Sequence, residues 1–305
     1  MRLAAIDIGS NAARLLISEI SPDSEGRPDF TKVNLIRIPL RLGFEVFEGG
    51  MVPPEKAQHL VNMVKAFRLL MDIYGVTAFR ACATSAMRDA SNGLEILQRV
   101  KTETGVDIQI ISGSVEASLI YENHVAEQMD KTRSYLYIDV GGGSTELTFF
   151  SKNRLVFKTS FNIGTIRILQ GSVTDELWQE MKDFIKAQVK DFGPVTAIGS
   201  GGNINKIFSL SKRKEGKPLT LEMLKDYHKE LGSISLQERI HLYKLREDRA
   251  DVIVPALQIY VAVMRWADAE EIYVPRIGLV DGLVHALYQE LLPSLPQRDP
   301  SGAPH

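Results

Sequence analysis

The chain has 305 residues, of which 44% are hydrophobic and 24% are charged, an ordinary composition for a folded globular protein of about two domains. Its 36 lysines and arginines nearly balance its 38 aspartates and glutamates. No overall positive field therefore exists to hold nucleic acid or an anionic membrane, and we expect neither as a partner. The single cysteine, Cys82, excludes an intramolecular disulfide and a cysteine-rich zinc site.

The sequence also lacks an apparent membrane or secretion segment. A membrane span needs roughly 20 apolar residues, and the best apolar run, 252–267, is interrupted by Pro255, Gln258 and Arg265. Near the amino terminus, Asp7 interrupts the sequence before the apolar part of a signal peptide can form. With the single cysteine, these features predict a cytoplasmic protein.

The first predicted element is a β-hairpin. Residues 3–8 and 15–20 are apolar and β-prone, and Asp7 lies where the first strand meets the turn. The turn itself carries Gly9, Ser10 and Asn11. These residue types favour a tight turn, so the two strands are expected to pair.

Strands and helices alternate over the rest of the first half. A strand is expected over residues 32–38 and a glycine-containing loop over 42–50. A helix with apolar residues at helical spacing follows and stops at Gly75. The next segments read as strand, helix, strand and helix, over 76–82, about 89–104, 106–111 and 114 to about 128. This alternation is typical of an α/β layer.

A second hairpin opens the second half of the chain. Its strands are residues 135–140 and 145–150, with Asp139 at the end of the first. Its turn is again rich in glycine and carries Gly141, Gly142, Gly143 and Ser144. Asp139 follows Asp7 by 132 residues, about one domain length, which indicates a duplicated α/β unit. We therefore predict an α/β fold with two similar domains facing each other across a cleft.

The remainder of the second half is predicted to be mostly helical. Helices are expected over 174–191, from 220, from 235, over 250–267 and over 281–291, with short strands at 195–198 and 271–274. The concentrated basic run, 212–217, is either a solvent-exposed loop or a contact for an extended anion at the rim of a site.

Each hairpin turn combines a strand-end aspartate with glycine and serine. In such a turn the backbone N–H groups can face a phosphate while the carboxylate holds Mg²⁺. A single turn of this kind can equally be an aspartate that caps its own turn. Two copies, at Asp7 and Asp139, favour a pair of phosphate-binding turns.

Two strand-to-helix junctions carry further candidate groups. Residues 83–88 bring hydroxyls, helix-start amides and Arg88 together, which forms either an anion site or a helix cap with a surface arginine. Residues 111–116 place Glu116 in the first turn of a helix. There it is either a functional carboxylate or a residue that interacts favourably with the helix dipole.

Three common catalytic motifs are missing from the sequence. It contains no His-Glu-x-x-His zinc motif and no Gly-x-Ser-x-Gly nucleophile turn. The lysine-bearing Walker loop is missing as well. Any phosphate chemistry is therefore not of the P-loop type.

Eight sequence blocks, spread from residue 4 to residue 283, give the chain a family resemblance. They are AAIDIGSNAARLLI, ATSAMRDASN, ISGSVEASL, DVGGGSTEL, NIGTIRI, IGSGGNINKI, RADVIVPAL and GLVDGL. In this order they resemble the exopolyphosphatase and guanosine pentaphosphate phosphohydrolase (Ppx/GppA) family of the actin-like ATPase superfamily. The length of the chain matches the short, two-domain branch of that family.

The resemblance implies an α/β fold with two actin-like (ribonuclease H-like) domains around a central cleft. The expected domains are residues 1–124 and 125–305, with the terminal helix packing back on the first domain. The resemblance also implies Mg²⁺ or Mn²⁺ as the cofactor, polyphosphate or pppGpp as the substrate, and a homodimer.

The resemblance further implies roles for individual residues. Glu116 is expected to be the catalytic base that activates water, with Arg14 as a second catalytic residue. The metal ion belongs with three carboxylates, Asp7, Asp139 and Glu146. The phosphate groups are expected to be bound by two turns and one arginine, which are Gly9, Ser10, Asn11, Arg88, Gly141, Gly142, Gly143 and Ser144.

The chain departs from the family pattern at four positions. Val115 stands where many members carry a further acidic residue, a change expected to alter metal affinity or chain binding. Ala12, Ser200 and Val280 replace a common serine, threonine and arginine.

The first functional hypothesis is an exopolyphosphatase that hydrolyses the terminal phosphoanhydride bond of linear polyphosphate with Mg²⁺ and releases orthophosphate. Short chains are expected to be preferred, because few basic residues can hold a long chain: Arg88, Arg167 and the run 212–217. The second hypothesis is a pppGpp 5′-phosphohydrolase. An actin-like-fold kinase, which would need bound ATP, and a non-catalytic binding module remain as alternatives from other classes.

Overall fold

The computed structural model describes residues 1–121, 130, 132–152 and 154–292, and the first half of the chain forms a five-stranded sheet. Its strands are β1 (Arg2–Ile8), β2 (Ala13–Pro22), β3 (Pro28–Ile38), β4 (Ala78–Ala83) and β5 (Gln109–Ile110), and they lie in the order β3-β2-β1-β4-β5. The helices of this half are α1 (Leu42–Gly49), α2 (Pro54–Ile73), α3 (Ser85–Asp89), α4 (Gly93–Thr104) and α5 (Gly113–Tyr121).

The second half forms a six-stranded sheet. Its strands are β6 (Ser134–Val140), β7 (Thr145–Ser151), β8 (Arg154–Phe161), β9 (Val195–Ser200), β10 (Leu219–Thr220) and β11 (Ala269–Tyr273), in the order β10-β11-β9-β6-β7-β8. The helices are α6 (Thr165–Leu169), α7 (Asp175–Val189), α8 (Gly202–Leu210), α9 (Leu221–Gly232), α10 (Leu236–Tyr243), α11 (Glu247–Ala250), α12 (Ile253–Trp266) and α13 (Leu279–Leu291).

The two sheets repeat one arrangement. In each, three consecutive strands run antiparallel, and a parallel strand lies on the other side of the first strand. Across the first hairpin Asp7 is opposite Arg14, and across the second Asp139 is opposite Glu146. Both predicted hairpins are therefore present, and each sheet ends its first strand with an aspartate beside the turn.

Helix α13 of the second half packs on the first sheet. Leu3 and Ala5 of β1 are buried in one apolar cluster with Leu283 of α13. Gly282 lets α13 lie against α5 as well, because a Cβ there would lie 1.8 Å from the carbonyl oxygen of Leu119 in α5. The expected domain boundary at 124/125 falls outside the described residues, so the domain limits stay a prediction.

Several short elements differ from the sequence prediction. The expected loop over 42–50 is helix α1, because Leu42 and Val46 are buried in the first core and stabilise a helical turn despite the glycines. Strand β8 and helices α6 and α8 are additional to the predicted elements. Both of these helices begin directly after a glycine, Gly164 or Gly201, and glycine-rich sequence indicates a loop when read alone.

The basic run 212–217 lies in an exposed loop. Among the described residues, no helix has both the length and the apolar character needed to cross a bilayer.

Candidate active site

The two glycine turns face each other across a cleft of about 250 Å³. The wall is built by both halves of the chain and includes ten of the thirteen residues predicted for the site. Those ten are Asp7, Gly9, Ser10, Asn11, Arg14, Glu116, Asp139, Gly141, Gly142 and Ser144. The other three predicted residues, Gly143, Glu146 and Arg88, are not part of this wall, and neither is the run 212–217.

Both turns are closed by the same backbone hydrogen bond. The Gly9 amide donates to the carbonyl of Ala12 (3.2 Å), and the Gly141 amide donates to the carbonyl of Ser144 (2.9 Å). Within the described part of the chain, the amides that follow, those of Ser10, Asn11, Gly142, Gly143 and Ser144, have no acceptor. Unpaired amides in a turn form an anion-binding concavity, so each turn can bind a phosphate group.

The Ser10 hydroxyl is engaged within the first half. Its oxygen lies 2.8 Å from the Ser85 hydroxyl oxygen and accepts from the Ala86 amide at 3.2 Å. Ser10 therefore fastens the first turn to the start of α3. Its amide, rather than its hydroxyl, remains for a ligand.

Three carboxylates from three elements meet beside the second turn. Ligand oxygens of Glu116 (α5), Asp139 (β6) and Glu146 (β7) all lie within 4.8 Å of one another. Glu146 Oε1 accepts from the hydroxyls of Ser144 (2.6 Å) and Ser160 (2.8 Å). The second oxygens of Glu116 and Glu146 are buried and have no partner among the described residues.

The surroundings of this acidic trio disfavour negative charge. Burial, followed by repulsion from Asp139, raises the pKa of Glu146 to about 7. Burial and repulsion from both neighbouring carboxylates raise the pKa of Glu116 well above its usual value. Burial raises the pKa of Asp139 too. Buried carboxylates with unpaired oxygens are the ligands that a hard divalent cation requires, so the trio could hold such an ion.

Asp7 lies on the other side of the cleft and outside the trio. Its Oδ2 accepts a hydrogen bond from Arg14 Nη1 at 2.7 Å, whereas its buried Oδ1 has no partner in the described structure. Burial raises the pKa of Asp7 even though the Arg14 charge opposes the shift. One oxygen of Asp7 is therefore available to the cleft.

Arg88 lies close to the trio but is not part of the cleft wall. Its Nη1 donates to the carbonyl of Ile111 at 2.9 Å. Its positive charge acts to lower the pKa of Glu116 and of Glu146. In this structure Arg88 therefore balances carboxylate charge.

Arg249 is a cleft residue that sequence reasoning did not identify. Burial, and then repulsion from Arg37 and Arg14, lower the pKa of Arg249 to about 10. Among the described ion pairs none involves Arg249, because Asp248 is paired with Arg37 and Arg246. The RADVIVPAL block contains Arg249, but no local pattern distinguishes it from a surface arginine.

Contacts between the halves join the first glycine turn to the segment around α11. Arg37 pairs with Asp248, and Arg41 pairs with Asp251 at 2.5 Å. Asn11 Nδ2 donates to the carbonyl of Asp248 at 3.0 Å. These contacts attach the first glycine turn and the end of β3 to the segment around α11.

The comparisons with known proteins all indicate the same family. Residues 19–291 match the sequence profile of the Ppx/GppA phosphatase family. The chain is 30% identical over 199 residues to a bifunctional 3-dehydroquinate synthase/phosphatase of Fusobacterium nucleatum, covering 62% of this chain and 30% of that protein. It is 25% identical to exopolyphosphatase 1 of Mycobacterium bovis, covering 93% of this chain and 87% of that protein.

A further relative carries a different activity in its name. The guanosine-5′-triphosphate,3′-diphosphate pyrophosphatase of Aliivibrio fischeri is 25% identical to this chain. The match covers 94% of this chain and 59% of that protein.

Solved structures share the fold. The crystal structure of the Aquifex aeolicus Ppx/GppA family member matches with a TM-score of 0.74 at 26% identity, covering 95% of this chain and 98% of that chain. An exopolyphosphatase from Cytophaga hutchinsonii matches with a TM-score of 0.81 at 24% identity, with the same coverage. The predicted α/β fold with two actin-like domains is confirmed.

Proposed function

Because the chain belongs to the Ppx/GppA phosphatase family, we propose that it is an exopolyphosphatase, which hydrolyses the terminal phosphoanhydride bond of linear polyphosphate and releases orthophosphate. The observation that carries the proposal is the placement of the acidic trio beside two turns of unpaired amides in one cleft. The similarity to the Mycobacterium exopolyphosphatase over 93% of the chain supports it.

The two turns bind the terminal phosphoryl group. Phosphoryl transfer proceeds through a loose transition state with charge on the outer oxygens, so catalysis consists mainly of positioning and electrostatic stabilisation. The free amides of Ser10 and Asn11 grip the group from one side, and those of Gly142 and Ser144 grip it from the other. Arg14, held by Asp7 at 2.7 Å, contributes a fixed positive charge.

Glu116 is the general base in this proposal. Its Oε2 is buried in the cleft region without a partner, so it is free to accept the proton of an attacking water. Burial raises the pKa of Glu116, and a carboxylate with a raised pKa is the stronger base. Its place in the first turn of α5 puts the side chain beside Asp139 and Glu146.

Asp139 and Glu146 would hold the metal ion, with Asp7 facing them from the first half. When bound, Mg²⁺ or Mn²⁺ supplies positive charge that neutralises the phosphate oxygens. The serine hydroxyls on Glu146 Oε1 fix the orientation of that carboxylate and leave Oε2 for the ion.

A pppGpp 5′-phosphohydrolase is the alternative within the same chemistry. Both substrates end in a phosphoanhydride-linked phosphoryl group, and the same turns and carboxylates would act on either. The relative from Aliivibrio fischeri supports this alternative. The cytoplasmic location and the homodimer expected from the resemblance stay predictions.

The test is orthophosphate release with Mg²⁺ from short polyphosphate, long polyphosphate and pppGpp. We expect release from polyphosphate, and we expect Glu116→Gln to lower kcat by at least about 10²-fold, the low end for loss of a general base. Glu95→Gln is the matched control, because Glu95 also lies in the first turn of a helix, α4, but is exposed.

Three results would favour a function other than exopolyphosphatase. Strong preference for pppGpp over every polyphosphate would favour the alternative. Phosphate transfer from ATP to an acceptor, without release from polyphosphate, would favour a kinase. Substrate binding without any turnover would favour a non-catalytic module.

A further inference from the structure

Arg167 in α6 connects the second glycine turn to the first half of the chain. Its Nε donates to the carbonyl of Gly143 at 2.8 Å, and its Nη2 donates to the carboxylate of Asp89 at the end of α3. Its guanidinium lies 4.0 Å from the centre of the Phe47 ring in α1. The side chain is 16% exposed. Arg167 is thus occupied by the protein itself, which argues against the polyphosphate-track role expected for it from the sequence.

Consecutive residues at the start of α6 hold the three carbonyls of this turn. The Thr165 amide donates to Gly141 at 3.0 Å, and the Ile166 amide donates to Gly142 at 2.9 Å. Arg167 continues the series with its side chain, because the carbonyl of Gly143 is the next one along the turn.

Fixing a carbonyl also fixes the amide that follows it. A peptide unit is planar and trans, so the N–H of residue i+1 points away from the C=O of residue i. The Arg167 bond to the Gly143 carbonyl therefore orients the amide of Ser144. That amide has no acceptor in the described structure, and Ser144 lines the cleft.

We infer that Arg167 is a positioning residue that aims the Ser144 amide at the terminal phosphate of the substrate. Because Asp89 and Phe47 hold the guanidinium from the first half, the second glycine turn takes its binding shape only when the two halves are in contact. This inference rests on the proposed function for the identity of the substrate.

The decisive variants are Arg167→Ala, Arg167→Lys and Asp89→Asn. We expect Arg167→Ala to lower kcat by about 10²-fold, because misplacing a binding group by about 1 Å can cost that much in rate. KM should rise less, by about tenfold, the order of one lost hydrogen bond to a charged group. Lysine cannot reproduce the fork of donors, so Arg167→Lys should restore the rate only partly. Asp89→Asn keeps the bond to Gly143 and should have a smaller effect, of about tenfold.

Two further measurements separate positioning from a general structural effect. Added guanidinium ion at a non-denaturing concentration should raise the kcat of Arg167→Ala and leave the wild type unchanged. The control is Arg154→Ala, which removes an exposed arginine without an ion pair in the described structure and should retain wild-type kcat.

A kcat of Arg167→Ala within about twofold of the wild type, or no response to guanidinium, would overturn the inference. If Arg167→Ala does not fold, a kcat of Asp89→Asn within about twofold of the wild type would overturn it.

Calorimetry with inorganic orthophosphate and Mg²⁺ tests the inference independently of turnover. If the wild type hydrolyses no phosphate substrate, only the proposed function fails, and the binding measurement still applies. Binding should weaken at least about tenfold in Arg167→Ala, the order of one lost hydrogen bond to a charged group. Equal binding in both proteins, or none in either, would overturn the inference.

Discussion

Replacing Glu146 by glutamine should stabilise the metal-free protein at neutral pH. The substitution keeps the shape of the side chain, and the amide oxygen can still accept from the hydroxyls of Ser144 and Ser160. It removes a charge that is buried beside two other carboxylates. In the absence of a metal ion, that charge destabilises the folded state.

The magnitude follows from the pKa of Glu146. Burial raises it from 4.5 to about 7, and each pKa unit corresponds to 1.36 kcal/mol, so the full effect is about 3 kcal/mol. Below pH 4.5 the group is protonated in both states, and wild type and variant should be equally stable. Between pH 4.5 and 7 the unfolded state releases its proton first, so the free energy of unfolding of the wild type falls as pH rises. Above pH 7 the difference is complete.

The assay is urea unfolding in EDTA at several pH values, followed by tryptophan fluorescence. Both tryptophans, Trp178 and Trp266, lie in the second half and contact each other with ring centres 5.9 Å apart, so they report on the half that contains Glu146. Excess Mg²⁺ should stabilise the wild type and reduce the difference. A pH-independent difference, or a variant less stable than the wild type at pH 8 in EDTA, would refute the reasoning.

Three further predictions concern activity. Asp139→Asn should raise the Mg²⁺ concentration needed for half-maximal rate, because it weakens a hard oxygen ligand; full activity of the wild type in excess EDTA with metal-free substrate would exclude a metal requirement. Arg14→Lys should lower kcat/KM by about tenfold, because lysine keeps the positive charge beside Asp7 but lacks the planar set of guanidinium donors. An unchanged kcat/KM would show that Arg14 has no role in the site. Short polyphosphates should be preferred, because three of the five described cations of the cleft wall, Arg14, Lys32 and Arg37, are already paired. Only Arg249 and Arg276 remain for a long chain; a kcat/KM per chain end that rises steadily with chain length would contradict this.

The duplicated hairpins could be predicted because their signals are local. Apolar alternation marks the strands, and glycine-rich turns follow Asp7 and Asp139 directly in the sequence. The register of each hairpin then follows from the short turn, which places Glu146 opposite Asp139. Local chemistry was sufficient for the two turns and their aspartates, whereas Glu146 was expected only from the family resemblance.

The assembly of the site could not be predicted from such patterns. Glu116 reaches the trio because α5 packs on β7 and β8 of the second sheet. Arg249 reaches the cleft from a short helix far along the chain. Helix α1 forms in a glycine-containing segment because burial of Leu42 and Val46 outweighs the local preference. Each of these placements depends on contacts between residues that are distant in sequence.

The most direct test of the account is the first product released from linear tetraphosphate with Mg²⁺, followed by phosphorus NMR. Attack of water at the end of the chain predicts orthophosphate and tripolyphosphate in equal amounts from the wild type, and almost none from Glu116→Gln. Pyrophosphate as the first product, no cleavage by the wild type, or equal cleavage by Glu116→Gln would contradict the proposal that Glu116 activates water against the terminal phosphoryl group.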